Sequence, residues 1–226
     1  RPSHFVPVGP TLVWLSLYLA VALVESVGRG LGMVATGDPA AIGLSLPYVR
    51  AALLGSFAIG AAGLAAVHAL VRRDHGRTTA LLTTLLVFGA TPLAWYMVYE
   101  AAMTHAASFG TVAILVWAAV RWLTPAGYSA RDARRLGALS AIAFLMRPQE
   151  ALFALVPVTL SLTGAADGRD RRARRLALAR PAIVGAAPFL VLQAVHSGVL
   201  VRSNDFQLFG ERGYLDPWHS RWIDTL

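Results

Sequence analysis

The chain contains no cysteine and no lysine, and it carries little charge of either sign. Without cysteine there is no disulfide framework, no thiolate nucleophile and no Cys-ligated metal. All 20 basic residues are therefore arginines, and only 12 residues are acidic. Charged residues make up 14% of the 226 positions, against about 25% in soluble domains, while 56% are hydrophobic. With a mean hydropathy of +0.57, that balance excludes an ordinary soluble globule, because a domain of this size keeps much of its surface in water. The bilayer is the expected solvent for much of the chain. The formal charge of +8 does not point to nucleic acid, since the arginines fall between apolar runs and form no continuous basic face. Also absent are a phosphate loop, a Gly-x-Ser-x-Gly elbow and a zinc HExxH helix.

Apolar runs cover residues 11–27, 51–71, 79–98, 106–123, 136–162 and 181–200. Several approach the roughly 20 residues needed to span a bilayer. Three connecting stretches are arginine-rich: Arg72, Arg73 and Arg77; Arg121, Arg131, Arg134 and Arg135; and Arg169, Arg171, Arg172, Arg174, Arg175 and Arg180. They hold 13 of the 20 arginines. The loop-charge rule places all three on the cytoplasmic side. Two loops on one side are separated by an even number of crossings, so residues 136–162 are expected to form a hairpin. Arg147-Pro148 is the natural break, because proline disfavours helix at the residue before it and lacks a backbone donor. Arms at 136–146 and 151–163 are short. Eleven residues rise about 16 Å, half of a 30 Å hydrocarbon core, which puts Arg147 and Glu150 near mid-depth.

The same alternation puts residues 28–50, 99–105 and 201–226 outside. The run 11–27 suits either a crossing or an interfacial helix anchored by Trp14 and Tyr18. The first residue is Arg1, and Trp222 to Leu226 lies within an amphipathic stretch; the chain reads as a single transmembrane domain fragment of a longer protein.

The polar residues at unusual depth are the functional candidates. Arg147 beside a helix break is costly unless it meets an anion or pairs with Glu150, and its guanidinium matches phosphate geometry. Gln149 could bond a sugar or merely satisfy the turn. Tyr99, Glu100 and His105 join two runs on the outer side, where Glu100 and His105 could share a metal ion, orient a phosphate, or simply polarise a water boundary. His68 and His196 read as core histidines and Glu25 as a solvated helix end.

The order His4-Phe5-Val6-Pro7-Val8-Gly9-Pro10-Thr11-Leu12-Val13-Trp14, then Tyr99-Glu100 to Thr104-His105-Ala106-Ala107-Ser108-Phe109, then Leu145-Met146-Arg147-Pro148-Gln149-Glu150-Ala151-Leu152-Phe153, resembles bacterial GT-C membrane glycosyltransferases, the relatives of protein O-mannosyltransferases and of the aminoarabinose transferase. The resemblance covers most of the chain. It implies an all-α polytopic transmembrane bundle with an interfacial helix at 11–27 and a short broken-helix hairpin, in the bacterial inner membrane with its active site on the outer face. The implied reaction moves a sugar from a polyprenyl-phosphate donor to an acceptor hydroxyl on a glycan, lipid or protein. In this resemblance Arg147 faces the lipid phosphate, and Glu100, with or without His105 and a divalent metal ion, orients the donor. His4, Tyr99, His105, Gln149 and Glu150 are the further substrate-binding candidates. The general-base Asp of the family's first outer loop would lie upstream of Arg1, so residues 1–226 alone are expected to be inactive. A transporter or lipid flippase with a broken-helix midplane site is the alternative, and a scaffold in which Arg147 and Glu150 only pair is the third reading.

Overall fold

The computed structural model describes residues 8–31, 46–100, 104–122, 129–163 and 179–195, and every regular element among them is helical. The α-helices are α1 (Val8–Gly30), α2 (Leu46–Asp74), α3 (Arg77–Gly89), α4 (Leu93–Val98), α5 (Thr104–Trp122), α6 (Ala130–Met146), α7 (Leu155–Thr163) and α8 (Ala179–Val195). A 3-10 turn, Pro148–Ala154, joins α6 to α7.

The middle of the fold is held by small residues. Gly63 on α2 faces Gly110 on α5 so closely that a Cβ at Gly63 would lie 2.6 Å from the Gly110 Cα, and one at Gly110 would strike the Ile59 carbonyl. Such close approach is the usual use of glycine between apolar helices. At the other end of this contact Arg73 donates to the Val120 carbonyl at 3.2 Å. The two pairings advance together along both helices, so α2 and α5 run parallel. The α3–α4 arm returns antiparallel to α2, with Thr84 beside His68 and Met97 against Gly60. Sequence periodicity predicts one run over 79–98; the structure interrupts it at Pro92, where Thr91 donates to the Val87 carbonyl and accepts from the Leu93 amide. Proline removes the donor that a continuous helix would need there.

Helix α6 runs antiparallel to α5 and packs Leu136 and Ala143 with Leu115, Ala118 and Ala119. It begins at Ala130, not at 136 as the apolar run suggests, because Ser129 and Asp132 form a capping box: the Ser129 hydroxyl accepts from the Asp132 amide and the Asp132 carboxylate accepts from the Ser129 amide. The pair satisfies two otherwise orphaned donors. Ser129→Ala is expected to cost about 1 kcal/mol, read as a small drop in the thermal unfolding midpoint with no loss of helicity.

The earlier start changes the depth of Arg147. Seventeen helical residues rise about 25 Å, so Met146 reaches the level of the first turn of α5. Arg147 and Glu150 sit at the end of the α5–α6 pair, level with the first turn of α5, while α2 continues beyond them toward Leu46 alongside α1. Arg131, Asp132, Arg134 and Arg135, which hydropathy assigns to a loop, form the first turns of the helix.

Two helices, α1 and α2, are long and apolar enough to cross a membrane. The contacts of α1 keep it at one end of the bundle. Gly9 lies against the backbone of Leu145 and Met146, Trp14 donates to the buried Ser56 hydroxyl at 2.9 Å, and Tyr48 donates to Glu25 at 3.4 Å. Helix α1 therefore starts beside the end of α6 and then follows the N-terminal third of α2. On α3, Leu81, Leu82, Leu85 and Leu86 are each more than half exposed. A contiguous apolar face of this kind marks contact with lipid or another apolar partner.

One direction differs from expectation. Gly137 meets Ala182, and Gly185 meets Arg134, so the pairing ascends α6 as it descends α8 and the two helices are antiparallel. Strict alternation of crossings would make them parallel. Residues 201–226 lie outside the described residues.

Candidate functional site

At the His105 end three segments converge: the end of α4, the first turn of α5, and the link from α6 into the 3-10 turn. Arg147 is the C-cap of α6, with extended backbone at φ −155° and ψ 128°, as the following Pro148 requires. That conformation turns its half-buried side chain back onto α5, where Nη1 lies 3.2 Å from Nδ1 of His105. Arginine can only donate, so Nδ1 is the acceptor and His105 is neutral with its proton on Nε2. The imidazole stacks on Tyr96 of α4, ring centroids 4.1 Å apart and planes 28° from parallel. Two contacts thus fix the ring, and the ring fixes the guanidinium.

Glu150 is the most unusual residue of the cluster. It is 7% exposed, its amide donates to the Arg147 carbonyl at 2.9 Å, and its Oε2 is buried with no hydrogen-bond partner. Arg147 and Glu150 form no ion pair within 4.0 Å; the ion pairs among the described residues are Arg29 with Glu25, Arg73 with Asp74 and Arg135 with Asp132. The simple internal pairing that would make both residues structural is therefore not what the fold builds. Burial pushes the Glu150 carboxyl up to about 7, with the Arg147 charge pulling the other way. An acid whose pKa the fold raises costs stability once it ionises. The cost is absent below the ordinary 4.5, grows through about 7 and is complete above it. Stability is thus expected to fall as the pH is raised from about 4 to 8, by up to about 3 kcal/mol. Glu150→Gln should flatten that dependence and unfold at a higher temperature than the wild type at the alkaline end; an equally steep profile in the variant would assign the pH dependence elsewhere.

The other predicted residues divide. Glu100, half-buried just after α4, is close enough for its charge to act on the His105 ring. Tyr99 is 73% exposed and stacks on Trp95 with centroids 4.7 Å apart, on a different face of α4 from Tyr96. Gln149 is exposed at the head of the turn. His4 lies outside the described residues, as does His196. Tyr96 was missed by sequence reasoning: it sits in an apolar run, and nothing in its spacing marks the fold of α4 onto the start of α5.

The cluster suits an anion better than a cation. A divalent ion shared by Glu100 and His105 would meet the guanidinium already held on Nδ1, and among the described residues no three His, Asp or Glu side chains converge as a ligand set. Behind the turn lies a cavity of about 730 Å³ between α6, the Pro148–Thr163 arm and α8, lined by apolar side chains including Leu136, Phe144, Ala151, Val158, Ile183 and Leu190. Its lining begins one residue beyond Glu150. Comparison of the chain with family models, with characterised proteins and with solved structures gives no match.

Proposed function

We propose that the chain is the core of a polytopic membrane glycosyltransferase of GT-C type that transfers a sugar from a polyprenyl-phosphate donor to an acceptor hydroxyl at the outer face of the bacterial inner membrane. The observation that carries the reading is the state of Arg147: a guanidinium oriented by a neutral imidazole, with no carboxylate paired to it, at the end of an apolar helical bundle. A cation held in that way is suited to a phosphate. Lipid-facing placement is supported by the exposed leucines of α3 and by Arg72, Arg73, Arg121, Arg131, Arg134 and Arg135, which lie on α2, α5 and α6 toward the end away from Arg147. The apolar cavity beginning at Ala151 offers room for the hydrocarbon part of a lipid-linked donor.

In this reading the acceptor oxygen attacks the anomeric carbon, the sugar–phosphate bond breaks, and Arg147 stabilises the charge gathering on the leaving lipid phosphate. His105 positions Arg147 through Nδ1, and Tyr96 positions His105. Glu100 orients the donor. The acceptor proton goes to a base outside the site described above.

The test is release of polyprenyl phosphate by the full-length protein in nanodiscs, given a panel of polyprenyl-phosphate sugars. Release from one donor that Glu100→Gln reduces at least about tenfold without unfolding is the expected result. No release from any donor would shift the reading to transport or flipping of a lipid-linked anion.

A further inference from the structure

The buried Glu150 carboxyl has no place in a simple anion site, because a carboxylate beside a bound phosphate would repel it. Its surroundings suggest how the conflict resolves. Among the described residues the nearby ionisable groups are few: Arg147 lies on its own turn, α5 holds His105 against Arg147, and Glu100 lies beyond His105. The neighbouring ends of α6 and α7 carry no ionisable side chain. Among the described residues, Arg147 is thus the one positive charge that favours an ionised Glu150, against burial that disfavours it. An anion that occupies Arg147 neutralises that charge and removes the one influence keeping Glu150 ionised. Linkage is reciprocal, so a protonated Glu150 must equally strengthen the anion's hold on Arg147.

We propose that Glu150 is a binding residue of the same site and works in its acid form: capture of a phosphodiester monoanion by Arg147 is coupled to uptake of one proton by Glu150, whose O–H then supplies a hydrogen bond to the ligand. The unpartnered, buried Oε2 is the atom available for that bond. This rests on the reading of Arg147 as an anion site. It adds that the ligand is bound as part of a neutral set, with one cation, one monoanion and one neutral acid, which is the charge balance that a site of low dielectric favours.

The experiment uses farnesyl methyl phosphate, a diester with no titrating proton of its own near neutral pH, and the full-length protein in phosphatidylcholine nanodiscs. Calorimetric titration in two buffers of different ionisation enthalpy, at about pH 8, is expected to show close to one proton taken up per anion bound. Affinity should fall about tenfold per pH unit above about 7. In Glu150→Gln the uptake and the pH slope should both vanish while binding persists. Wild-type binding that needs Arg147 but takes up no proton overturns the proposal and leaves the anion site standing, as does uptake that survives Glu150→Gln and disappears in His105→Asn. Binding that survives Arg147→Met, or no binding by the wild type, overturns both. A wild-type proton count near zero overturns the proposal even where a variant fails to fold.

Discussion

Arg147→Met should lower sugar transfer by about 100-fold or more while moving the thermal midpoint by only a few degrees. The large effect on activity follows from the place of the guanidinium. It is the charged donor nearest to where leaving-group charge would develop, and it acts at the end of an apolar bundle where such a donor is worth more than in water. The small effect on stability follows from what Arg147 touches. Its side chain makes one hydrogen bond, to a neutral imidazole, and the removal of such a bond costs about 1 kcal/mol. It leaves no ion pair broken, because Glu150 is not within pairing distance. Near pH 6 Glu150 simply remains protonated in the variant; at about pH 8.5 the loss of the Arg147 charge leaves the carboxyl harder to ionise, so the variant should lose more stability there. The scaffold reading predicts the reverse pattern. Were Arg147 and Glu150 a structural pair, the same substitution would strand a buried carboxylate and cost several kcal/mol, with no transfer activity to lose. Midpoint and activity measured on one preparation separate the two.

Gly110→Leu should abolish the fold, or cost roughly 3 kcal/mol or more where folded protein is recovered. A Cβ at Gly110 meets the backbone carbonyl and carbon of Ile59, atoms that cannot move aside without shifting α2 as a whole. Across the contact, Gly63 leaves no compensating slack, since its own Cβ would meet the Gly110 Cα. Ala106, Ala107, Ala118 and Ala119 on the same helix are fully buried, so α5 is clasped by small residues over most of its length. Separation of α2 from α5 would also detach the first turn that carries His105, and with it the platform for Arg147. Gly89→Ala is the matched control. Nothing lies within 4 Å of a Cβ there, and a helical glycine replaced by alanine gains about 0.5–1 kcal/mol. Opposite shifts in the unfolding midpoint for the two variants are the expected result; a tolerated Gly110→Leu would mean that α2 and α5 are not in contact as described.

What could be read from the residues alone was chemical and local. Composition alone sets the solvent problem, because Leu, Val and Ala in these proportions cannot all be hidden in a soluble core of this size, and the helical class follows, since a helix satisfies its backbone within one segment. Arg147-Pro148 marks a break for a steric reason confined to two residues, and the break is there. Ser129 and Asp132 also spell a cap at the right spacing; hydropathy obscured it by counting the charges that follow as loop. That single boundary sets Arg147 level with the first turn of α5. What only the tertiary structure decided depends on which faces meet. His105 and Arg147 are 42 residues apart in the chain, and their contact exists because α5 and α6 pack antiparallel with nearly matched lengths. Tyr96 joins them only because Pro92 redirects α4. The missing Arg147–Glu150 pair could not have been foreseen from a spacing of three, since that spacing allows the pair, and the choice of His105 over Glu150 was made by packing.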